Sequence, residues 1–154
     1  MSSSPRIQIS RLFLILATGA LATGCNGPLP FLSAGALSGQ VQPAPETWAL
    51  TEDFAVVQIE TRPSEPYSVN VAYTQIDGRL YLNAGDTETE WVTHIAGDSS
   101  VRMRVGEIIY ESRAERVTES GEVAAFGTAW TDHSMFHRDP TELERVWIYR
   151  LVKP

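Results

Sequence analysis

Apolar and polar residues alternate with a period of two along most of the chain after residue 54. The pattern appears in "FAVVQIET", "YSVNVAYTQI", "RLYLNA", "VRMRV", "IIYESRAERV" and "RVWIYRL". Because successive side chains of a strand point to opposite faces, this alternation predicts six strands, each with one buried face. The residues predicted to face the core are Val57, Ile59, Val69, Val71, Tyr73, Leu80, Leu82, Val101, Met103 and Val105.

The connections between these strands are short. Asp77 and Gly78 form a strong hairpin sequence because both residue types tolerate positive φ. Strands joined by tight turns pair antiparallel, and closing such a sheet removes its exposed edges. The sequence therefore predicts a mainly β domain, a small six-stranded antiparallel barrel interrupted by two helices.

The two helices are predicted where the period changes. "GDTETEWVTHIAGD" begins with Asp86 or Thr87 as N-cap and ends at Gly97, with Trp91 on its inward face. "TESGEVAAFGTAWTD" begins at Thr118 and carries apolar residues at helical spacing.

The N-terminus has the organisation of an export signal. Arg6 and Arg11 precede the apolar run "LFLILATGALA", and small residues lead to Cys25, the single cysteine. A basic region followed by an apolar run too short to span a bilayer predicts a signal peptide over residues 1–24. "LATGC" resembles the lipobox of bacterial lipoproteins, which implies that Cys25 is lipidated and anchors the protein to a membrane. The alternative is an ordinary export signal followed by an unpaired thiol.

Charge restricts the partners of the exported chain. Removal of residues 1–24 leaves 10 basic and 19 acidic residues. This acidic excess argues against binding of nucleic acid and against an electrostatic attraction to anionic lipid, both of which require a basic excess. Asn26, rather than Asp, follows the cysteine, so we expect attachment to the outer membrane facing the periplasm if the organism is Gram-negative.

Composition divides the remaining chain into two parts. Residues 25–45 are rich in proline and glycine, which predicts a lipidated cysteine and flexible tether, although "ALSGQV" has enough apolar character to pack against the domain. Residues 46–154 have the composition of a single globular domain.

The order of these elements resembles the flavin-binding split β-barrel proteins, the pyridoxamine-phosphate-oxidase-like superfamily with its deazaflavin-dependent nitroreductase relatives. The resemblance covers roughly residues 54 to 150, and its most similar segment is "WVTHIAGDSSVRMRV". It implies FMN or a deazaflavin as cofactor, a homodimer, and, if the protein is an enzyme, a flavin-dependent oxidoreductase. The alternative is a non-enzymatic envelope module that contacts another protein and has lost cofactor binding.

The resemblance also implies a location for the ligand. The flavin phosphate would lie near "ETRPSEPYSVNV", a segment that lacks the glycine and lysine of the deazaflavin relatives. The residues predicted to bind a flavin-like or other small anionic ligand are Thr61, Arg62, Ser68, Asn70, Trp91 and His94.

Each candidate also has a purely structural interpretation. Trp91 and His94 are either the packed face of a helix, which we favour, or the wall and hydrogen-bond donor of a pocket. Arg62 is either an anion ligand or a solvated turn residue. No nucleophile elbow or phosphate-binding glycine loop is present in the sequence, so the catalytic residues are unknown.

Two further groups are interpreted structurally. His133 and His137 are four apart, a spacing that can chelate a metal on one helical turn, but we expect a polar loop and no metal site. Arginines and glutamates that alternate outward on two neighbouring strands predict a salt-bridged outer face. These residues are Arg102, Arg104, Arg113, Arg116, Glu107, Glu111 and Glu115.

Overall fold

The computed structural model describes residues 32–154. The predicted signal peptide and Cys25 lie outside the described residues. The strands are β1 (Gln40–Pro43), β2 (Phe54–Thr61), β3 (Tyr67–Ile76), β4 (Arg79–Asn83), β5 (Ser100–Val105), β6 (Ile108–Arg116) and β7 (Ile148–Val152). The helices are α1 (Glu90–Gly97), α2 (Ser120–Asp132) and a 3₁₀ turn, η1 (Pro140–Glu142). None of the helices within residues 32–154 is long and apolar enough to cross a membrane.

Six of the strands close into an antiparallel barrel. The order is β2–β3–β4–β7–β6–β5, and β5 returns to pair with β2. The mainly β fold with two helices and a six-stranded antiparallel barrel is therefore confirmed. The Asp77–Gly78 hairpin is also present, with φ of 48° and 75° at its two residues.

The barrel interior is filled by the faces that the alternation identified. Ile59, Leu80, Leu82 and Met103 are completely buried, and Trp91 of α1 packs among them. Burying one such side chain contributes about 1.5–3 kcal/mol relative to leaving it in water. Tyr81, on the opposite face of β4, is buried in a second cluster beneath α2 with Phe126 and Ile148.

The N-terminal segment differs from the tether prediction. Leu37 and Ala44 are buried, and β1 between them pairs in parallel with β6. Gly39 permits this approach, since a Cβ there would lie 2.6 Å from the carbonyl oxygen of Glu107. The tether prediction is therefore wrong for residues 34–44, although "ALSGQV" does pack against the domain.

Helix α1 begins later than predicted. Its N-cap is Thr89 rather than Asp86 or Thr87. The preceding turn is held by Arg145, which donates hydrogen bonds to the Glu88 carboxylate at 2.6 Å and to the Asp86 carbonyl at 3.3 Å. These distant contacts hold residues 86–88 outside the helix. The predicted end at Gly97 is confirmed.

Helix α2 is capped by a different residue from the one predicted. The Glu119 carboxylate accepts hydrogen bonds from the backbone N–H groups of Gly121 at 2.9 Å and Glu122 at 2.7 Å. The backbone hydrogen bonds from Gly121 and Glu122 lower the pKa of the Glu119 carboxyl, and a carboxylate at this position also interacts favourably with the helix dipole. The helix therefore begins two residues after the predicted Thr118.

The outer face of β5 and β6 is salt-bridged, as the alternating charges indicated. Arg102 pairs with Glu111 at 3.0 Å, and Arg113 pairs with Glu115 at 2.8 Å. Two of the arginines have other roles. Arg104 donates to the Ser38 carbonyl of the N-terminal segment, and the Arg116 guanidinium lies 3.9 Å from the centre of the Trp147 ring.

Candidate functional site

The first half of β3 has a different neighbour from the second half. β3 pairs with β4 only between Tyr73 and Ile76. On the same edge, Ser68 and Ala34 exchange two backbone hydrogen bonds of 2.9 and 2.8 Å. Because backbone groups of alternate residues point to the same edge of a strand, the stretch of β3 between Ser68 and Tyr73 also has backbone groups on this edge. A groove opens at this stretch.

The groove has a volume of about 950 Å³. Its floor is the outer face of β2 and β3, where Val56 and Gln58 lie opposite Ala72 and Asn70. The other walls are supplied by Tyr67, Val69, Thr89, Trp91, Leu32 and Ser33. Leu32 and Val56 are 60% and 63% exposed. Apolar side chains predominate in this lining, and none of the lining residues is a lysine or arginine.

One end of the groove is formed by Tyr67. Its ring lies edge-on to that of His94, with 5.0 Å between ring centres. Burial raises the pKa of the Tyr67 hydroxyl, and the neighbouring Glu90 carboxylate raises it further. The phenol is therefore neutral at ordinary pH, and its hydroxyl is hydrogen-bonded with the side chains of Ser33 and Glu90.

Behind Tyr67 lies a short chain of polar groups. The Thr61 hydroxyl oxygen is 2.9 Å from His94 Nδ1 and 3.3 Å from the Tyr67 carbonyl oxygen. His94 Nε2 is 3.7 Å from the Glu90 carboxylate. Two hydrogen-bond arrangements are compatible with these distances. In one, the Thr61 hydroxyl donates to the Tyr67 carbonyl and accepts from His94 Nδ1–H. In the other, the Thr61 hydroxyl donates to Nδ1 and the imidazole is the other tautomer.

This hydroxyl, imidazole and carboxylate do not form a nucleophilic site. Thr61 is completely buried, so no substrate carbonyl can approach its hydroxyl. The Glu90 side chain is 59% exposed, and its distance from Nε2 is too long for an orienting hydrogen bond. The arrangement holds α1 against β2 and positions Tyr67.

The residues present do not fit a flavin phosphate at the predicted location. Ser68 is completely buried, and its hydroxyl donates to the Gly35 carbonyl at 2.7 Å. The Thr61 hydroxyl is buried and engaged as described above. Both hydroxyls therefore serve the packing of the protein on itself, and the segment around Gly35 covers the position that a phosphate would need.

Arg62 lies in the turn after β2 with a φ of 52°. Its Nη1 pairs with Glu65 at 3.2 Å, while its Nε is buried and has no hydrogen-bond partner among residues 32–154. Its charge also acts on the Tyr67 hydroxyl, lowering the pKa of that group against the larger effects that raise it. The Nε N–H is therefore a buried donor that lies outside the groove lining.

The structure therefore divides the six predicted ligand residues. Asn70 and Trp91 line the groove, and Trp91 is otherwise buried against Tyr149 with 5.7 Å between ring centres. Arg62 lies near the Tyr67 end. The residues that do not reach the groove are Thr61, Ser68 and His94.

Several groove residues were not among the predicted ligands. Ser33 falls in the segment assigned to the tether, and Thr89 in the first turn expected for α1. Gln58 and Val56 could be predicted to face outward on β2, because they alternate with Val57 and Ile59. Nothing in the sequence showed that this outward face would be walled on both sides.

The two C-terminal histidines take positions different from those on one helical turn. Helix α2 ends at Asp132, before both of them. The His137 ring stacks on Trp130 with 4.0 Å between centres, and the His133 ring stacks on Phe54 at 4.9 Å. Within the described part of the chain, no three metal-ligating side chains are grouped closely enough to hold a metal ion.

Comparison with known proteins adds no family to this description. No protein-family model matches the chain, and a search of the curated proteins finds no match.

Proposed function

We propose that this protein is a lipid-anchored domain of the cell envelope that binds a small amphipathic ligand in the groove on the outer face of β2 and β3. The anchor is Cys25, and the membrane is the outer membrane of a Gram-negative cell, with the domain in the periplasm. The "LATGC" sequence supports the anchor, and the groove supports the binding.

The observation that carries the proposal is the combination of volume and lining. A cavity of about 950 Å³ has the size of sites that enclose small organic molecules. Val56 on its floor and Leu32 on its wall are exposed apolar side chains that line the same groove. The apolar body of a ligand would lie across Val56 and Ala72.

The polar groups of the site are gathered at one end. Tyr67 and Ser33 bring hydroxyl groups there, the Arg62 charge acts on Tyr67 from outside the lining, and Asn70 adds an amide along the groove. They suit a ligand with one acceptor or anionic group at the end of an apolar body. We propose binding rather than catalysis, because the Thr61–His94 pair is buried behind Tyr67.

A fluorescent probe of the same chemistry tests the proposal. Anilinonaphthalene sulfonate has an apolar ring system and a single anionic group, and its emission rises in an apolar site. The mature chain, residues 25–154 with Cys25→Ser, is titrated with the probe and separately with FMN. We expect saturable binding of the probe that weakens at least about tenfold in Ala72→Trp, which fills the groove.

Two controls make the result specific. Val41→Trp adds the same ring on β1, at a residue that is 51% exposed and outside the groove, and should leave probe binding within about twofold. Arg62→Gln should weaken the anionic probe but not an uncharged analogue. Equal binding by the wild type and Ala72→Trp would refute the groove as the site. Lipidation is tested separately, by mass spectrometry of the membrane-extracted protein.

A further inference from the structure

Two large apolar side chains lie almost completely in solvent at one tip of the molecule. Met135 is 90% exposed and Phe136 is 88% exposed, the highest values among the large apolar residues of the described chain. They occupy the turn between α2 and η1. Exposed apolar side chains of this size lower solubility and are typical of interaction sites.

The turn that carries them is fixed by hydrogen bonds and by ring stacking. His137 Nδ1 lies 2.7 Å from the Trp130 carbonyl oxygen, and its ring stacks on the Trp130 ring. The backbone N–H of Phe136 donates to the Ser134 hydroxyl, and that of His137 donates to the Ser134 carbonyl. The two apolar residues are therefore held outward by the fold of the turn.

The tip and the groove lie on the same side of the barrel. Phe54, at the start of β2, contacts both His133 and His137 at the base of the tip. Val56 follows two residues later on the same face of β2 and forms the groove floor. Leu32 is at the other end of this side, where the chain leads back toward Cys25.

The length of the connecting chain limits how far the apolar side can lie from the predicted anchor. Eight residues separate Cys25 from Ala34, whose backbone is paired with β3. Fully extended, the nine steps from Cys25 to Ala34 span about 30 Å. The domain is thus held much nearer to a membrane than a flexible tether ending at residue 45 would hold it.

Local charge at the tip is small. The mature chain is acidic overall, and residues 133–138, "HSMFHR", contain Arg138 and two histidines between Asp132 and Asp139. The exposed apolar side chains rather than charge must therefore supply the attraction to a membrane interface.

We propose that Met135 and Phe136 insert into the membrane interface and hold the groove side of the barrel against the bilayer. This inference uses the lipid anchor of the proposed function for its geometry, but insertion of the tip does not require lipid on Cys25. The partner that the tip contacts is therefore the lipid interface of the membrane.

The experiment uses the mature chain with Cys25→Ser, which has no cysteine, so that one labelling site can be introduced. Within residues 32–154, the buried core residues all lie at or after Leu37, and the unlipidated chain retains every one of them. Phe136→Cys carries an environment-sensitive nitrobenzoxadiazole label, and Val41→Cys carries the same label as control. Vesicles of phosphatidylethanolamine and phosphatidylglycerol are then added.

We expect the label at residue 136 to become brighter and blue-shifted, while the label at residue 41 does not change. In sedimentation with the same vesicles, Met135→Ser/Phe136→Ser should lower the partition coefficient at least about tenfold, and Val41→Ser should change it by less than about twofold. Both substituted residues of the double variant are in solvent, so its thermal unfolding should match that of the parent.

An unchanged label at residue 136, or equal sedimentation of the double variant and its parent, would overturn the proposal. Either result is independent of the anchor and of the groove. If the groove does not bind the probe but the tip inserts normally, only the proposed function is refuted.

Discussion

Glu60 provides the sharpest test of how the N-terminal segment is attached to the barrel. It is completely buried on the outer face of β2. Its Oε2 accepts a hydrogen bond from the Leu37 backbone N–H at 2.6 Å, and its Oε1 accepts one from Arg102 at 3.3 Å. Arg102 is about one-third exposed and has a second partner, Glu111.

These contacts predict that the two partners are unequal. Arg102→Met leaves the Glu60 carboxylate buried with a single N–H donor, and we expect it to lower the free energy of unfolding by about 3–5 kcal/mol. Glu60→Gln keeps an acceptor for Leu37 and leaves Arg102 with Glu111 and water. Its cost should be about 1–3 kcal/mol.

The combined variant gives a second test of the same reasoning. In Glu60→Met/Arg102→Met no buried charge remains, so the double variant should be more stable than Arg102→Met alone. The cost of the two changes is therefore far from additive.

Urea unfolding followed by tryptophan fluorescence measures these free energies. A loss of 3–5 kcal/mol should lower the midpoint by more than about 1 M. Arg113→Met is the control, because Arg113 pairs with Glu115 at the surface, where an ion pair contributes at most about 1 kcal/mol. The reasoning fails if Arg102→Met is no more destabilising than Glu60→Gln, or if the double variant is the least stable of the three.

Three further changes test the turns, the titration and the second cluster. Gly78→Ala should lower the free energy of unfolding by about 2–3 kcal/mol, because φ is 75° and the new Cβ would clash with Thr47. Gly106→Ala, where φ is 59° and the space around a new Cβ is open, should lower it by about 1 kcal/mol. Equal losses for the two variants in urea unfolding would contradict this. Hydrogen bonds from two arginines lower the pKa of Glu115. The contribution of Glu115 to the free energy of unfolding is therefore complete above its ordinary pKa and is lost as the pH falls through the lowered value. Glu115→Gln should flatten the acid limb of a plot of stability against pH, and an unchanged limb would contradict this. Phe126→Ala should cost about 3–5 kcal/mol in thermal unfolding, and a loss below about 1 kcal/mol would show that α2 is not packed as described.

The barrel strands could be predicted from the sequence because their alternation is local and strong. Strand β1 could not, since "QVQP" contains a single large apolar residue and pairs in parallel with β6, far along the chain. The start of α1 depends on Arg145 in the same way, because residues 86–88 are good helix starters until that side chain binds them.

The ligand residues were predictable only in part for a related reason. Asn70 and Trp91 occupy the positions that the strand and helix patterns indicate. Ser68 has the same polarity, but Ala34 and Gly35 cover it. A sequence shows which side chains are able to bind a ligand, whereas their availability depends on segments that pack over them.

The contacts of the N-terminal segment also set how much of the chain must be available before the fold can close. The Trp48 indole donates to the Leu151 carbonyl, 103 residues further along, and β7 closes the barrel by pairing with both β4 and β6. A growing chain emerges from the ribosome with its N-terminus first, so Trp48 waits for β7. Until Leu151 has emerged, Trp48 lacks this partner and the barrel stays open. Closure of this domain should therefore be a late event that follows the emergence of β7.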